Sequence, residues 1–351
     1  MPAVQPLDAC RRHAHCGIMR TGVAETPMKP QTLPDFDAVL AAAARIAPHA
    51  RLTPVLRDEA LDARAGARLH FKAEHLQRSG AFKFRGACNA VRALPDAVAA
   101  RGVLTHSSGN HGAALALAAA GRGIPAHVVV PEGAVCAKLE LIAQAGATVH
   151  RCAPLLAARE DACLRLQAEL GATLIHPYEN PQVIAGQGTA ALELLHAMPD
   201  LDALVVPVGG GGLAAGSALT LAARAPHCEL ILAEPAGADD TARSLLGAAR
   251  VTVFTPQTFC DGLRAGIGAP NFEILLAARA AVITVSDAET RAAMRLLWQH
   301  LKQTVEPSSA TVLAAVLQQP ARFAGRSVGL ILSGGNVDLD AIAFCTRCGT
   351  T

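Results

Sequence analysis

Short apolar runs alternate with helical patterns along most of the chain. Helical periodicity first appears in "LPDFDAVLAAAARIAPHA", residues 33–50. From about residue 70 the order becomes strand, helix, strand: "GVLTHS", "HGAALALAAAG", "PAHVVVP", "AKLELIAQAGA", "TVHRCAP". Further on, "DALVVPVGGGG" leads into "LAAGSALTLAARA", and "CELILAEP" follows. The series closes with "AAVITVS", a helix around Trp298, and "SVGLILSGGN". Unbroken Val, Ile and Leu runs joined by helices are what parallel strands buried on both faces require. The pattern predicts an α/β protein with mostly parallel twisted sheets flanked by helices. Ligands then belong at the C-terminal ends of the strands. The chain has no internal repeat and no low-complexity linker.

Composition narrows the class. A chain of 351 residues exceeds one typical domain, so two lobes are expected. Hydrophobic residues at 51% and charged residues at 17% describe a core-rich globular protein. A net charge of +2 without a basic stripe, and 3% aromatics, exclude a nucleic-acid partner. No apolar run is long enough to span a membrane. The first 30 residues hold Arg11, Arg12 and Arg20 but no apolar core, which excludes a secretory signal. Residues 1–30 read as a poorly ordered tail, and Met28 as an alternative start. Ten cysteines without an export signal imply reduced thiols in the cytoplasm. Cys10, His13, His15 and Cys16 cluster at one end, and Cys345 with Cys348 at the other. Both groups are expected to be tail thiols, with zinc the alternative.

The candidate chemistry lies in "SGAFKFRGA", residues 79–87, and in three glycine-rich loops. Lys83 sits between Phe82 and Phe84. An amine walled off from water gives up its proton more easily and can add to a carbonyl. The bland alternative is a solvated lysine on a strand edge between buried rings. The loop "HSSGNHG" brings Ser107, Ser108, Gly109, Asn110 and His111 to a helix start, where backbone amides suit a carboxylate or phosphate; a capped turn is the alternative. The loop "VGGGGLAAG" lets Gly209, Gly210, Gly211 and Gly212 fold tightly around an anion. It is not a P-loop, since no Lys-Ser/Thr follows. Gly210, Gly212 and Ala215 do fit G-x-G-x-x-A, with Glu234 placed as a ribose acid, so a nicotinamide-dependent oxidoreductase is a rival. In "SGGN", Ser333 either meets a ring nitrogen or caps a turn. A reactive carbonyl, a phosphate and a polar ring atom occur together in pyridoxal phosphate, the electron sink of amino-acid chemistry.

From about Thr53 to Asp338 the chain resembles the fold type II pyridoxal-phosphate enzymes of the serine/threonine dehydratase and serine racemase group. The three loops, "SGAFKFRGA" and "HPYENPQVIAGQGTAALE" carry the resemblance, in family order. It implies a large cofactor-binding domain of residues 31–101 and 180–351, and a small inserted domain of residues 102–179. Lys83 would carry the cofactor and remove the α-proton. Phe82 would pack near the cofactor, and Asn110 would bond its ring hydroxyl. Gly209 to Gly212 with Leu213 would hold the phosphate, and Ser333 would face the pyridine nitrogen. Ser107, Ser108, Gly109 and His111 would meet substrate, with Ser108 a second acid/base on the opposite face. "EPAGADD" is similar to a divalent-cation segment, in which Glu234, the carbonyl of Ala238, and Asp240 would bind Mg²⁺ or Ca²⁺.

The implied activity is elimination of water from a β-hydroxy amino acid such as serine, threonine or 3-hydroxyaspartate, giving a 2-oxo acid and ammonia. Arg159 falls at a position implied to hold a second carboxylate. Racemisation on the same fold is the alternative, and a catalytically silent amino-acid sensor a third reading. Ala265 and Gly266 replace two serines, and Ala113 and His300 replace nucleotide contacts of animal racemases, which argues against nucleotide activation. A homodimer is implied by the resemblance alone.

Overall fold

The computed structural model describes residues 32–338 apart from Ser108, Ala134 and Val135. The terminal cysteine clusters therefore lie outside the described residues. From Leu33 onward the described chain forms one compact unit.

Two sheets organise it. The larger has six strands in the order β1 (Val55–Leu56), β2 (Arg68–Lys72), β10 (Ser327–Ile331), β7 (Ala203–Pro207), β8 (Glu229–Pro235) and β9 (Ala281–Val285). Only β1 runs antiparallel, to β2; all other pairs are parallel. The smaller sheet is parallel throughout, in the order β5 (Thr148–Cys152), β4 (Ala126–Pro131), β3 (Val103–Thr105) and β6 (Thr173–Leu174). The central strands β7 and β10 are buried at every position because both faces are covered. Val205, Ile231, Ile283 and Leu330 fill one face of the large sheet, while Leu204, Val206, Leu232 and Ile331 fill the other.

Local chemistry sets the helix ends. Asp35 caps the helix Phe36–Ile46 by accepting a bond of 2.9 Å from the amide of Ala38. That helix buries Val39, Ala42 and Ile46, one face of an amphipathic turn pattern. Among the described residues no helix is long and apolar enough to cross a membrane. Cys88, Cys152, Cys163, Cys228 and Cys260 are free thiols.

An ionic quartet, buried except for half-buried Glu193, ties the helix Lys83–Ala93 to its neighbours. The guanidinium of Arg85 donates to both oxygens of Glu74, at 2.6 and 2.8 Å, and to both of Glu193, at 2.6 and 2.7 Å. Lys72 donates to Glu193 at 2.6 Å and to the carbonyl of Thr53 at 2.7 Å, and Thr53 donates to Glu74 at 2.5 Å. Arg85 and Glu74 are fully buried. Two cations face two anions, so the cluster is neutral, which is the condition for keeping charges inside a protein. For Glu74, burial raises the carboxyl pKa, but the charge and bonds of Arg85, with Lys72, hold it below the usual value.

Candidate active site

The C-terminal ends of β3, β6, β7 and β10 converge on one cavity of about 810 Å³. Thr105 ends β3 and passes into His106–Asn110. Leu174 ends β6 and passes into His176–Tyr178. Pro207 ends β7 at the glycine loop, and Ile331 ends β10 two residues before Ser333. The cavity is lined by Phe82, Lys83, Ser107, Gly109, Asn110, His111, Arg159, the four glycines, Leu213 and Ser333. Ser108 lies outside the described residues.

Lys83 opens its helix rather than occupying a strand edge. Its amine lies 5.1 Å from the Phe82 ring centroid and donates to the carbonyl of Pro177 at 3.0 Å. Phe84 does not wall it; that ring turns away into the core with Cys88 and Val91, and Arg78 lies over it at 5.9 Å. The helical turn sends consecutive side chains about 100° apart, so two flanking rings cannot both face one lysine. Burial nevertheless pushes the amine down to about 8, against the pull of Glu306.

Opposite the lysine, the glycine loop starts the helix Gly212–Arg224. Gly211 has φ +88°, a left-handed conformation that L side chains rarely adopt. At Gly210 a Cβ would lie 2.4 Å from atoms of the Tyr178 ring, so the bare backbone lets ring and loop approach. Asn271 clamps this contact, its amide donating to the carbonyls of Tyr178 at 2.9 Å and Gly210 at 2.6 Å. Tyr178 in turn meets His176 edge-on, with centroids 4.6 Å apart, and His176 meets His106 at 5.2 Å. Burial drives His176 down to about 3 and His111 well below the ordinary value, so both imidazoles are neutral. His111 Nε2 lies 3.2 Å from the carbonyl of Ile175, which fixes that ring.

Glu306 and Asn271 escaped the sequence reading. Glu306 is 2% exposed and lines the cavity. Both its oxygens accept from the Asn110 amide at 2.9 Å, while the Asn110 carbonyl accepts from Asn336 at 2.9 Å. Ser333 Oγ lies 3.1 Å from Ser309 Oγ, and the Ser333 carbonyl accepts from the amide of Phe82 at 2.9 Å. This joins the third loop directly to the lysine segment. A Glu just ahead of "PSS" signals a helix start, which is where Glu306 sits, but nothing in the sequence aims it at the cavity.

Glu234, Ala238 and Asp240 do not line the cavity. Glu234 accepts amide bonds from Thr241 at 2.8 Å and Ala242 at 2.9 Å. With both oxygens turned to backbone amides, it is not placed as the ribose acid of the dinucleotide reading. Asp240 accepts from the amide of Ile267 at 2.8 Å, and its Oδ1 is buried without a partner. Burial lifts Glu234 to about 8 and Asp240 to about 6. Among the described residues no group of three or more His, Cys, Asp or Glu side chains could hold a metal.

The family of pyridoxal-phosphate dependent enzymes matches residues 46–334. A beta-hydroxyaspartate dehydratase of Paracoccus denitrificans is 46% identical over 312 residues, covering 89% of this chain and 99% of that protein. The serine racemase of Dictyostelium discoideum is 45% identical, covering 90% and 98%. The structure of maize serine racemase superposes with a TM-score of 0.86 at 43% identity, covering 88% of this chain and 95% of that one.

Proposed function

The chain belongs to the pyridoxal-phosphate dependent enzymes, and on that footing we propose that it is an ammonia-lyase acting on 3-hydroxyaspartate. The reaction removes water across the α and β carbons, and the released enamine, as its imine tautomer, takes up water to yield a 2-oxo acid and ammonia. The observation that carries the choice of substrate is Arg159. This guanidinium lines the cavity, has no acid partner among the described residues, and keeps its Nε buried without a hydrogen bond. A second carboxylate on the substrate would satisfy it. The likeness to a protein named for beta-hydroxyaspartate supports the same substrate.

Bound pyridoxal phosphate supplies a carbonyl for the amino group and a ring that takes up electrons from the α-carbon. The chain's own residues do the rest. Gly209 to Gly212 and Leu213, at the start of a helix, would present backbone amides to the phosphate. Ser333 would offer a neutral hydroxyl to the ring nitrogen, and Phe82 would pack beside the ring. Asn110, oriented by Glu306, would meet the ring hydroxyl. Lys83 takes the α-proton; an amine lowered to about 8 is neutral often enough near neutral pH to act as a general base. Ser107, Gly109 and His111 hold the α-carboxylate end. Ser108, outside the described residues, is the proposed second acid/base. The departing hydroxyl needs a proton because it is a poor leaving group.

Glu234, the Ala238 carbonyl, and Asp240 are the proposed ligands of Mg²⁺ or Ca²⁺. The orphaned Asp240 Oδ1 supports a hard cation with oxygen ligands. We also retain residues 102–179 as a small domain, supported by the separate four-stranded sheet, and propose a homodimer in the cytoplasm. Serine racemases among the relatives favour racemisation as the second reading.

Ammonia release from a panel of serine, threonine and hydroxyaspartate isomers tests the assignment. A hydroxyaspartate isomer is expected to lead in kcat/KM, and Arg159→Gln to erase that lead. An unchanged hydroxyaspartate-to-serine ratio in Arg159→Gln refutes the substrate reading.

A further inference from the structure

Arg159 is one of three arginines that line the cavity, alongside the acids Asp261 and Glu306. Arg250 and Arg264 line the same cavity. Arg264 is committed, donating twice to the carbonyl of Thr258 at 3.0 and 2.7 Å. Arg250 is not. Its one recorded bond is long, 3.3 Å to the carbonyl of Ile267, and it has no acid partner among the described residues. The two uncommitted guanidinia come from different elements: Arg159 from the helix Leu156–Leu170, Arg250 from the irregular run after the helix Asp240–Gly247.

Tyr178, the chain's one tyrosine, is their neighbour on the same cavity. Its ring is held against Gly210 and edge-on to His176, so its direction is fixed by packing. Burial raises its hydroxyl to about 12, with Glu179 and Glu160 acting in the same sense and Arg159 and Arg250 against them, so charges of both signs act on the phenol. At neutral pH that phenol is a hydrogen-bond donor.

We propose that Arg250 and Tyr178 complete, with Arg159, a three-donor subsite for the distal carboxylate of a dicarboxylic amino acid. The inference rests on the ammonia-lyase reading above and goes beyond it by naming two specificity-determining residues. A carboxylate has about four lone-pair positions and accepts paired bonds from a guanidinium, so three donors from three segments match one such group. Serine brings only a hydroxymethyl group and leaves both guanidinia without a substrate anion. Discrimination therefore comes from what the wrong substrate leaves unpaired as much as from what the right one gains. Arg250 is exposed at the cavity mouth, where its contribution is screened by salt.

The test uses the holoenzyme and the variants Arg250→Gln, Tyr178→Phe and Arg159→Gln. Two quantities are read for each: the ratio of kcat/KM for 3-hydroxyaspartate over serine, and competitive inhibition by succinate, which has two carboxylates and no reacting centre. Arg250→Gln and Tyr178→Phe are each expected to lower the ratio and the succinate affinity by about tenfold, mainly through KM. Arg250→Lys is expected to recover part of the loss in low salt only, since an ammonium cannot make the paired bonds. If Arg159→Gln lowers the ratio while Arg250→Gln and Tyr178→Phe leave it at the wild-type value, the three-donor subsite is overturned and the substrate reading stands. If all three leave it unchanged, the substrate reading itself falls.

Discussion

Replacing Gly210 with alanine puts a single methyl group where the glycine loop meets Tyr178. The new Cβ would stand 2.4 Å from Cγ and Cδ1 of that ring and 2.7 Å from Cδ2. Ordinary carbon–carbon contact is ~3.5–4.0 Å, so ring or loop must retreat by roughly 1 Å or more. The atoms struck are at the base of the side chain, where rotation gives little relief. Retreat also breaks the Asn271 clamp on the two carbonyls. Overpacking of this kind costs ~1–3 kcal/mol. If the loop holds the phosphate, that cost becomes about a 5- to 150-fold loss of affinity for pyridoxal phosphate, at ~1.4 kcal/mol per tenfold. The assay is titration of the cofactor-depleted protein with pyridoxal phosphate, followed by visible absorbance. Gly247→Ala, where a Cβ meets nothing within 4 Å, is the control. Tyr178→Ala combined with Gly210→Ala should recover most of the loss, because the methyl then has room. Wild-type affinity in Gly210→Ala would refute the placement of the phosphate.

Three further outcomes are expected. In the cofactor-free chain the folded pKa of Lys83, about 8, lies below its ordinary value of 10.5. The unfolded chain then binds more protons between those values, so stability rises with pH across that window. Lys83→Met should accordingly stabilise the cofactor-free protein at pH 7, by ~1–2 kcal/mol after loss of the Pro177 bond, and less at pH 10; thermal melts at both pH values decide. Glu74→Ala strands buried Arg85 with one acid fewer and should cost ~3–5 kcal/mol by denaturant midpoint, with Glu74→Gln milder. Because the Glu74 pKa is depressed, its contribution is present above its unfolded value and fades as pH falls through the folded one. Adding Mg²⁺ or Ca²⁺ to chelator-treated protein should raise Tm, by ~2.7 kcal/mol of stability at a hundredfold excess over Kd, and Asp240→Asn should abolish the rise; an unchanged Tm in the parent protein removes the metal.

The strands were legible because a buried parallel strand leaves a plain mark, an apolar run such as "ALVVP" in β7. The loops were legible because glycine runs just past apolar strands have few structural uses. Two things could not be read locally. The surroundings of Lys83 depend on helical geometry, which sends Phe84 to the core and leaves Phe82 alone beside the amine. Glu306 reaches Asn110 across 196 positions of sequence, and the quartet of Lys72, Glu74, Arg85 and Glu193 spans four elements. Such charges look like ordinary polar positions until tertiary packing buries them. The dinucleotide pattern shows the converse hazard. Its glycines are real, but Glu234 turns to backbone amides instead of the cavity.

Covalent attachment of the cofactor to the right amine is the most direct test. The holoenzyme is reduced with sodium borohydride, digested, and mapped by mass spectrometry. The phosphopyridoxyl group is predicted on Lys83. Lys72 serves as the internal comparison, being equally lysine and 1% exposed, but held by Glu193. A label on Lys72 or another lysine, or a digest with no label at all, would contradict the account.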